Sequence, residues 1–373
     1  MTTAAEGGWR VADGTIRIYR LFDVADAIDL GRAEALAGAP TSRVRLEGSR
    51  THSAIEIPRP PLRLALGPRA LPLPSGERPG SARATLLDYG VASVLYELPI
   101  PAGTPLQALL PLAEELLDKP TPALDDAARR EAEELAAALG PALEKPHAWE
   151  GLETYTVFFV RAFEGAATAR EVLDEAPLAR LLLGETSLQP LADQEAEDVL
   201  KHHFSYLEDD LAVVDWNSAF VFEPSAVTDI PDLLEFATAH LLELRYYDAL
   251  LDRELHQIYD EVEAIGGRTP VLTRRYLKLQ RRTAALLLEL SEMTERLENA
   301  VKIVGDFYLA RLYQAAVRRF RLPAWQETVL RKQRLLAAVN GLLNDAAGRR
   351  RAELLEITII LLILWEIVYA LVR

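Results

Sequence analysis

The sequence predicts an α+β protein with an N-terminal α/β domain, a long antiparallel coiled-coil helical hairpin and a single C-terminal transmembrane helix. Three observations predict it: β-rich runs in the first 165 residues, heptad spacing of apolar residues after residue 230, and an apolar C-terminal stretch. We expect four segments: an α/β domain at 1–225, the coiled-coil hairpin at 226–322, a basic connecting helix at 323–351 and a transmembrane tail at 352–373.

The N-terminal region alternates strands with helices. Runs rich in Val, Ile, Tyr and Phe predict strands at 15–22, 84–100 and 153–163, and apolar residues at helical spacing predict helices at 105–117 and 125–139. Residues 58–81 contain so much proline and glycine that they predict a loop.

Two further polar motifs lie before residue 225. The segment "DLAVVDWNSAFVFEP" (210–224) predicts a hairpin around the turn "DWNS". The polar residues of this turn are Asp215, Trp216 and Asn217; turn formation accounts for their presence, and binding of a ligand is the alternative. The segment "KHHFSYLEDD" (201–210) brings histidines and aspartates together, as a metal site would require. Adjacent histidines point in different directions, so a surface cluster is the reading we adopt.

Apolar residues step by threes and fours from Leu234 to Ile265 and again from Leu272 to Phe307. This spacing is typical of the seam of a coiled coil, and the "GGRTP" segment between the two runs predicts a turn. We expect an antiparallel hairpin about 50 Å long at 1.5 Å per residue. Two amphipathic helices in a globular bundle are the alternative.

The charge of the chain is split along its length. Residues 1–267 hold 22 Lys and Arg against 46 Asp and Glu, a net of −24, whereas residues 268–351 hold 18 against 7, a net of +11. Two basic groups are the predicted phosphate or lipid contacts: Arg274, Arg275, Lys278, Arg281 and Arg282 near the hairpin turn, and Arg349, Arg350 and Arg351 before the tail. Neutralisation of an acidic protein surface explains them equally well.

The tail has the length of a membrane span. Residues 354–372 are mostly apolar and rise about 28 Å as a helix, close to the roughly 30 Å of a bilayer core. The arginines at 349–351 predict that the bulk of the chain lies on the cytoplasmic side of an inner membrane. A buried C-terminal helix of a bundle is the alternative.

Two glutamates interrupt this tail. Glu366 lies about 80° around the helix from Glu356, and a carboxylate at a membrane centre costs about 2.5–3.5 kcal/mol. That side of the helix should therefore face another protein surface, most simply a second copy of the chain. We accordingly predict a homo-oligomer whose membrane anchor and oligomer contact include Glu356, Trp365 and Glu366; ion conduction by the carboxylates is the alternative.

The order of parts resembles a known family. "DYGV" (88–91), "EDDLAVVDWNSAFVFEP", the helix "DIPDLLEFATAHLLELRYYDALLD" and the tail "LLEITIILLILWEI" are similar to the family named for "required for meiotic nuclear division", the RMD/Sif-type domain, over roughly residues 80–373. The family's strand continues "DYGVVVFW", and this chain lacks that tryptophan. The resemblance implies a membrane-anchored, self-associating protein without known enzymatic activity, some members of which tether ribosomes near the mitochondrial inner membrane.

Motifs for catalysis are missing from the sequence. The chain has no cysteine, which excludes thiol chemistry, and no P-loop, dinucleotide fingerprint or nucleophile elbow. We therefore assign no catalytic, cofactor-binding or metal-binding residue. The expected function is a membrane-anchored, self-associating scaffold or tether without enzymatic activity, for which ribosomes or RNA are candidate partners. The alternative is an oligomeric ion channel or transporter of the CorA type with one membrane helix per chain.

Overall fold

A computed structural model describes residues 8–38, 40–46, 55–187, 189–265, 272–300, 302–303 and 308–372. The chain divides into two compact units. The first unit comprises Met1–Tyr246 and Arg296–Pro323, and the second comprises Tyr247–Glu295 and Ala324–Arg373.

The first 222 residues contain both strands and helices, and helices and the short strand β14 follow. The strands are β1 (Arg10–Asp23), β2 (Ala25–Ile28), β3 (Thr41–Arg43), β4 (Ile55–Glu56), β5 (Leu62–Leu73), β6 (Gly76–Leu86), β7 (Val91–Ile100), β8 (Thr104–Pro105), β9 (Leu143–Pro146), β10 (Glu153–Phe163), β11 (His203–Phe204), β12 (Leu211–Val214), β13 (Ser218–Phe222) and β14 (Lys302–Ile303). The helices are α1 (Leu30–Leu36), α2 (Leu110–Leu117), α3 (Pro122–Ala138), α4 (Ala169–Glu175), α5 (Leu178–Leu183), α6 (Asp193–Leu200), α7 (Asp229–Ile265), α8 (Leu272–Ala300), α9 (Tyr308–Arg319) and α10 (Leu322–Val372).

A mixed sheet of ten strands organises the described part of the first unit. Its order is β11-β12-β13-β10-β1-β7-β6-β5-β3, and β8 pairs with the start of β1. β10 and β13 run parallel, and the other neighbours in the sheet run antiparallel. The predicted α+β class and the hairpin of β12 and β13 are confirmed.

The loop predicted at 58–81 is wrong, because this segment forms most of a long hairpin of β5 and β6. Gly76 adopts a φ of +117° at its tip, a conformation that glycine tolerates without a steric penalty. The register shifts between Ala65 and Gly67, which marks a bulge. Turn-forming residues therefore shape this hairpin rather than preventing it.

One face of the sheet is the apolar face, which carries Ile16, Ile18, Phe158 and Phe220 among other buried apolar residues. Helices α2, α3, α5 and α6 contribute buried leucines, alanines and valine to the same cluster. Because side chains alternate between the two faces along a strand, the intervening residues lie on the opposite face.

That opposite face is the polar face, which carries Arg17, Arg63, Arg83, Ser93 and Glu97 beside Tyr19 and Phe159. The N-terminal part of α7 covers part of it, since Arg63 contacts Asp232 of that helix. Phe320, the residue that follows α9, also packs there, because its ring lies 5.3 Å from that of Tyr155.

The second unit is helical. Its core contains Leu251, Leu255 and Ile258 of α7, Leu279, Leu286 and Leu290 of α8, and Val329 and Leu336 of α10. Polar contacts join the three helices pairwise: Arg282 lies 2.7 Å from Glu254, Lys332 lies 2.6 Å from Asp248, and Gln280 donates to Asn344 at 3.1 Å.

The long coiled-coil hairpin predicted at 226–322 is wrong. Residues 229–239 of α7 are all buried in the first unit, whereas a coiled coil buries only a stripe along each helix. The rest of α7 shares its core with two helices, α8 and α10, rather than one. The predicted turn at 266–270 lies outside the described residues.

The transmembrane helix predicted at 352–373 is also wrong. Among the residues that the structure describes, no helix combines the length and apolar character needed to cross a bilayer. The predicted span is the C-terminal part of α10. There, Glu356 and Glu366 flank an uncharged run of nine residues, 357–365. Such a run rises only about 14 Å, half the thickness of a bilayer core. The inner-membrane location that rested on this span is withdrawn with it.

Candidate functional site

The polar face contains a buried layer of charge where α7 packs on the sheet. Arg63 of β5 forms an ion pair with Asp232, and Glu235 Oε2 lies 3.9 Å from the same guanidinium. Asp232 and Glu235 are almost fully buried. Burial raises the pKa of Glu235, and Arg63 partly opposes this effect. The three side chains thus fix the first turns of α7 electrostatically.

A second charged group lies beside the first and belongs to the sheet alone. Arg17 of β1 is opposite Glu97 of β7 in the strand register, and Arg83 projects from β6. Glu97 Oε1 lies 3.4 Å from a nitrogen of each arginine. Arg17 is 5% exposed, and its Nε and Nη1 have no hydrogen-bond partner among the described residues. Its guanidinium stacks 4.8 Å above the ring of Phe159.

This group borders a cavity of about 520 Å³, the Arg17 pocket, which is open to solvent. Thr15 and Phe159 are paired residues of β1 and β10, and Ser81 is opposite Glu97 across β6 and β7. The lining also includes Arg161 of β10. The pocket therefore crosses four adjacent strands of the sheet and combines two arginines, one carboxylate, hydroxyl groups and an aromatic ring.

A third charged cluster surrounds His147. Its Nε2 lies 3.1 Å from Asp23 Oδ1, and its ring stacks on Tyr246 with centroids 4.7 Å apart. Burial lowers the pKa of His147, but bonding to Asp23 and Asp26 outweighs this and raises it to about 9. Burial raises the pKa of Asp23 and raises that of the neighbouring Glu243 well above its ordinary value. His147 is accordingly a partly buried cation at neutral pH.

The part of the chain that contains the large sheet matches a known family. A family model described as "Uncharacterized protein MJ0711, N-terminal domain" matches residues 13–228. This chain belongs to that family. A similar protein, "Uncharacterized protein MJ0711" of Methanocaldococcus jannaschii, is 26% identical over 238 residues, which cover 62% of this chain and 70% of that protein. The comparison with solved structures gives no match.

The RMD/Sif resemblance is therefore wrong. It rested most strongly on the helix that begins at residue 229 and on the C-terminal tail, and both lie outside the residues matched by the MJ0711 N-terminal domain. Long helices with leucine at regular spacing and an apolar end share these features without common descent. The matched residues are instead those of the large sheet.

The basic residues predicted as phosphate or lipid contacts lie on α8 and α10. Lys278 and Arg281 are exposed, and Arg282 contacts Glu254 and Glu261 of α7. For Arg274, Arg275, Arg349, Arg350 and Arg351 the structure describes the helical backbone and not the side chains. Arg282 thus forms ion pairs inside the second unit. The described side chains do not bring the two predicted basic groups together in one site.

The predicted oligomer-contact residues are exposed on α10. Glu356, Trp365 and Glu366 are all solvent-accessible, with Trp365 at 72% exposure. Their role in a homo-oligomer stays a prediction.

The remaining sequence motifs have local structural roles. Asp215 of "DWNS" is buried and lies 2.6 Å from Arg319 Nη2, while Asp210 accepts backbone hydrogen bonds from Tyr206 and Leu207. Nδ1 of His203 lies 2.8 Å from the carbonyl oxygen of Leu200. Within the described ranges, no group of three or more His, Asp or Glu side chains is arranged to hold a metal ion.

Sequence reasoning missed the polar face of this MJ0711-type domain. A signal was present in "TIRIYRLFD", where Arg17 alternates with isoleucines, as expected for a strand with one polar face. The partners of Arg17 and Arg63 come from distant strands and from α7, so their pairing requires the topology of the sheet.

Proposed function

We propose that this protein is a self-associating scaffold without enzymatic activity, whose copies are held together by the C-terminal part of α10. One observation carries the proposal. Residues 355–369, the apolar tail, include twelve large apolar side chains that are each at least 50% exposed. Soluble monomers rarely leave such a surface uncovered, so it requires a partner.

The area supports a protein interface. Twelve half-exposed large side chains present on the order of 1,000 Å² of apolar surface, beyond the roughly 300–600 Å² of the largest patch on a typical monomer. A standard interface buries about 800 Å² on each partner. The apolar tail is therefore large enough to sustain stable association by itself.

The distribution of these side chains favours copies of the same helix as the partner. Ile359, Ile360, Leu361 and Leu362 follow one another at steps of about 100° and so point in four different directions around the axis. A helix that is apolar on every side is stable when it is surrounded. A single partner helix covers one side only. A bundle of three or more copies covers every side with helices of equal length.

Contact with RNA or ribosomes has weaker support. Several basic residues of the helical region form intramolecular ion pairs, among them Arg282 with Glu254, Arg319 with Asp198 and Asp215, and Lys332 with Asp248 and Asp252. These pairs favour the alternative in which the positive charge neutralises acidic protein surface. A channel of the CorA type has no support from a membrane span among the described helices.

The mass of the full chain in solution tests the proposal. We expect light scattering after gel filtration to give a multiple of 41.4 kDa for the wild type, and a monomer for the double variant Ile360→Glu, Leu361→Glu. The matched control is Leu342→Glu, which changes an equally exposed leucine of the same helix outside the apolar tail. It should keep the wild-type mass.

Two outcomes contradict the proposal. One is a monomeric mass for the wild type across the micromolar range. The other is a chain that is monomeric in mild detergent and floats with lipid vesicles, because lipid rather than a second copy would then cover the apolar tail.

A further inference from the structure

We propose that the Arg17 pocket binds a small organic anion, a phosphate monoester or carboxylate attached to an apolar or aromatic group. This inference is independent of self-association. It rests on the charge around the pocket, on the incomplete bonding of Arg17 and on the chemistry of the walls.

The pocket is locally basic in an acidic chain. Arg17 and Arg161 line the pocket against one carboxylate, that of Glu97. Just outside the lining, Arg83 also contacts Glu97 and Asp13 pairs with Arg161, so these five groups leave one positive charge in excess. The whole chain has a formal net charge of −15. An excess positive charge in a partly enclosed site attracts an anion more strongly than the same charge on an open surface.

Arg17 is held in place while its bonding is incomplete. The residue is 5% exposed, and both Nε and Nη1 lack a partner among the described residues, as does Nε of Arg161. An unsatisfied buried donor costs about 1–3 kcal/mol. By contrast, Arg20 on the same strand bonds through all three nitrogens, to Asp125, Thr121 and the carbonyl of Tyr19. An anion in the pocket supplies the negative charge and the acceptors that Arg17 lacks.

The walls define the rest of the ligand. Phe159 forms an aromatic wall, and Pro79 and Pro99 add apolar surface. The hydroxyl groups of Thr15 and Ser81 also line the pocket, and a hydroxyl can donate a hydrogen bond to an anionic oxygen. The volume of the Arg17 pocket, about 520 Å³, falls within the roughly 300–1,000 Å³ of small-molecule sites. An aromatic or branched apolar group therefore fits against Phe159 while the anion faces the arginines.

Titration calorimetry of the full chain with phenyl phosphate and with benzoate tests the proposal. We expect saturable binding of at least one probe, and the stronger of the two identifies the anionic group. Phenol, which lacks the anion, should bind at least tenfold more weakly. In Arg161→Gln the affinity should fall about tenfold, the effect of losing one charge-assisted hydrogen bond. The Arg161 side chain is 41% exposed, so we expect this variant to fold.

The matched control is Arg170→Gln, which removes an exposed arginine from α4, outside the lining of the pocket. Its affinity should equal that of the wild type. Absence of saturable binding by both probes at millimolar concentration would overturn the proposal. So would equal affinity of the wild type and Arg161→Gln, with thermal unfolding confirming that both are folded.

Discussion

The two faces of the large sheet come from the same strands and differ in chemistry. The apolar face packs Ile16, Phe158 and Phe220 against four helices in one continuous cluster. The polar face places Arg17 and Arg63 against carboxylates and leaves part of its surface open as the Arg17 pocket. Burial alone therefore does not define the apolar core, because both faces of the sheet are largely buried.

Two arginines of β1 differ in hydrogen bonding according to the face of the sheet on which they lie. Arg20 lies among the helices of the apolar face with its donors satisfied, whereas Arg17 on the polar face keeps donors unpaired. Satisfied buried charge specifies a fold, and unsatisfied buried charge costs stability unless a ligand completes it. We therefore assign stability chiefly to the apolar face and ligand binding to the polar face.

The largest expected effect comes from adjacent phenylalanines of β10 that point to opposite faces. Phe158→Ala should lower the free energy of unfolding by about 3–5 kcal/mol, because it leaves a closed cavity in the apolar cluster. Phe159→Ala should cost about 2 kcal/mol, because the lost ring borders a pocket that is already open to water. Urea unfolding measures both, and equal losses would remove the distinction between the faces.

A somewhat smaller effect is expected at the charged contact between β5 and α7. Arg63→Met should cost about 3 kcal/mol, because it leaves Asp232 and Glu235 buried without their cation. The triple variant Arg63→Met, Asp232→Leu, Glu235→Leu should recover more than half of that loss. Chemical unfolding of the single and triple variants provides the comparison; a triple variant less stable than the single one would show that the ion pairs themselves hold α7.

The smallest effect is a pH dependence from His147. Its pKa is raised from the ordinary value of 6.5 to about 9 in the folded protein, so its contribution is complete below pH 6.5 and is lost as the pH rises through 9. Allowing for solvent screening of the partly exposed ring, we expect about 1–2 kcal/mol of stability to be lost between pH 6.5 and 9.

Replacing His147 isolates its contribution to the pH dependence of stability. His147→Gln should flatten the pH dependence over that range, whereas His203→Gln, which changes an exposed histidine, should leave it intact. Thermal unfolding at closely spaced pH values measures the slope. A slope that persists unchanged in His147→Gln would show that another group titrates.

The sequence predicted the strands within 10–23 and 153–163 and the α+β class, because alternation and β-branched residues are local signals. The single strand predicted at 84–100 is wrong, because this segment holds the end of β6, a turn and β7. The hairpin at 211–222 followed from two apolar runs around a turn. The strands at 62–86 were missed because their prolines and glycines, which normally mark loops, lie in a bulged hairpin. Local composition could not distinguish the two arrangements.

The candidate site was beyond sequence reasoning for a different reason. The Arg17 pocket takes residues from β1, β6, β7 and β10, which are separated by up to about 150 positions in the chain. The predicted coiled coil failed for a related reason, since heptad spacing in α7 does not reveal that its first turns pack on a sheet. In both cases, the topology of the fold determines which residues of the chain come into contact.

The substitution Arg17→Met asks whether the arginine in the pocket of the polar face serves binding rather than stability. Glu97 keeps Arg83 as its partner and stays partly exposed, so the free energy of unfolding should change by less than about 1 kcal/mol. Binding of the organic anion by the same variant should be lost. A variant destabilised by about 3 kcal/mol or more that still binds the probe with wild-type affinity would contradict the account.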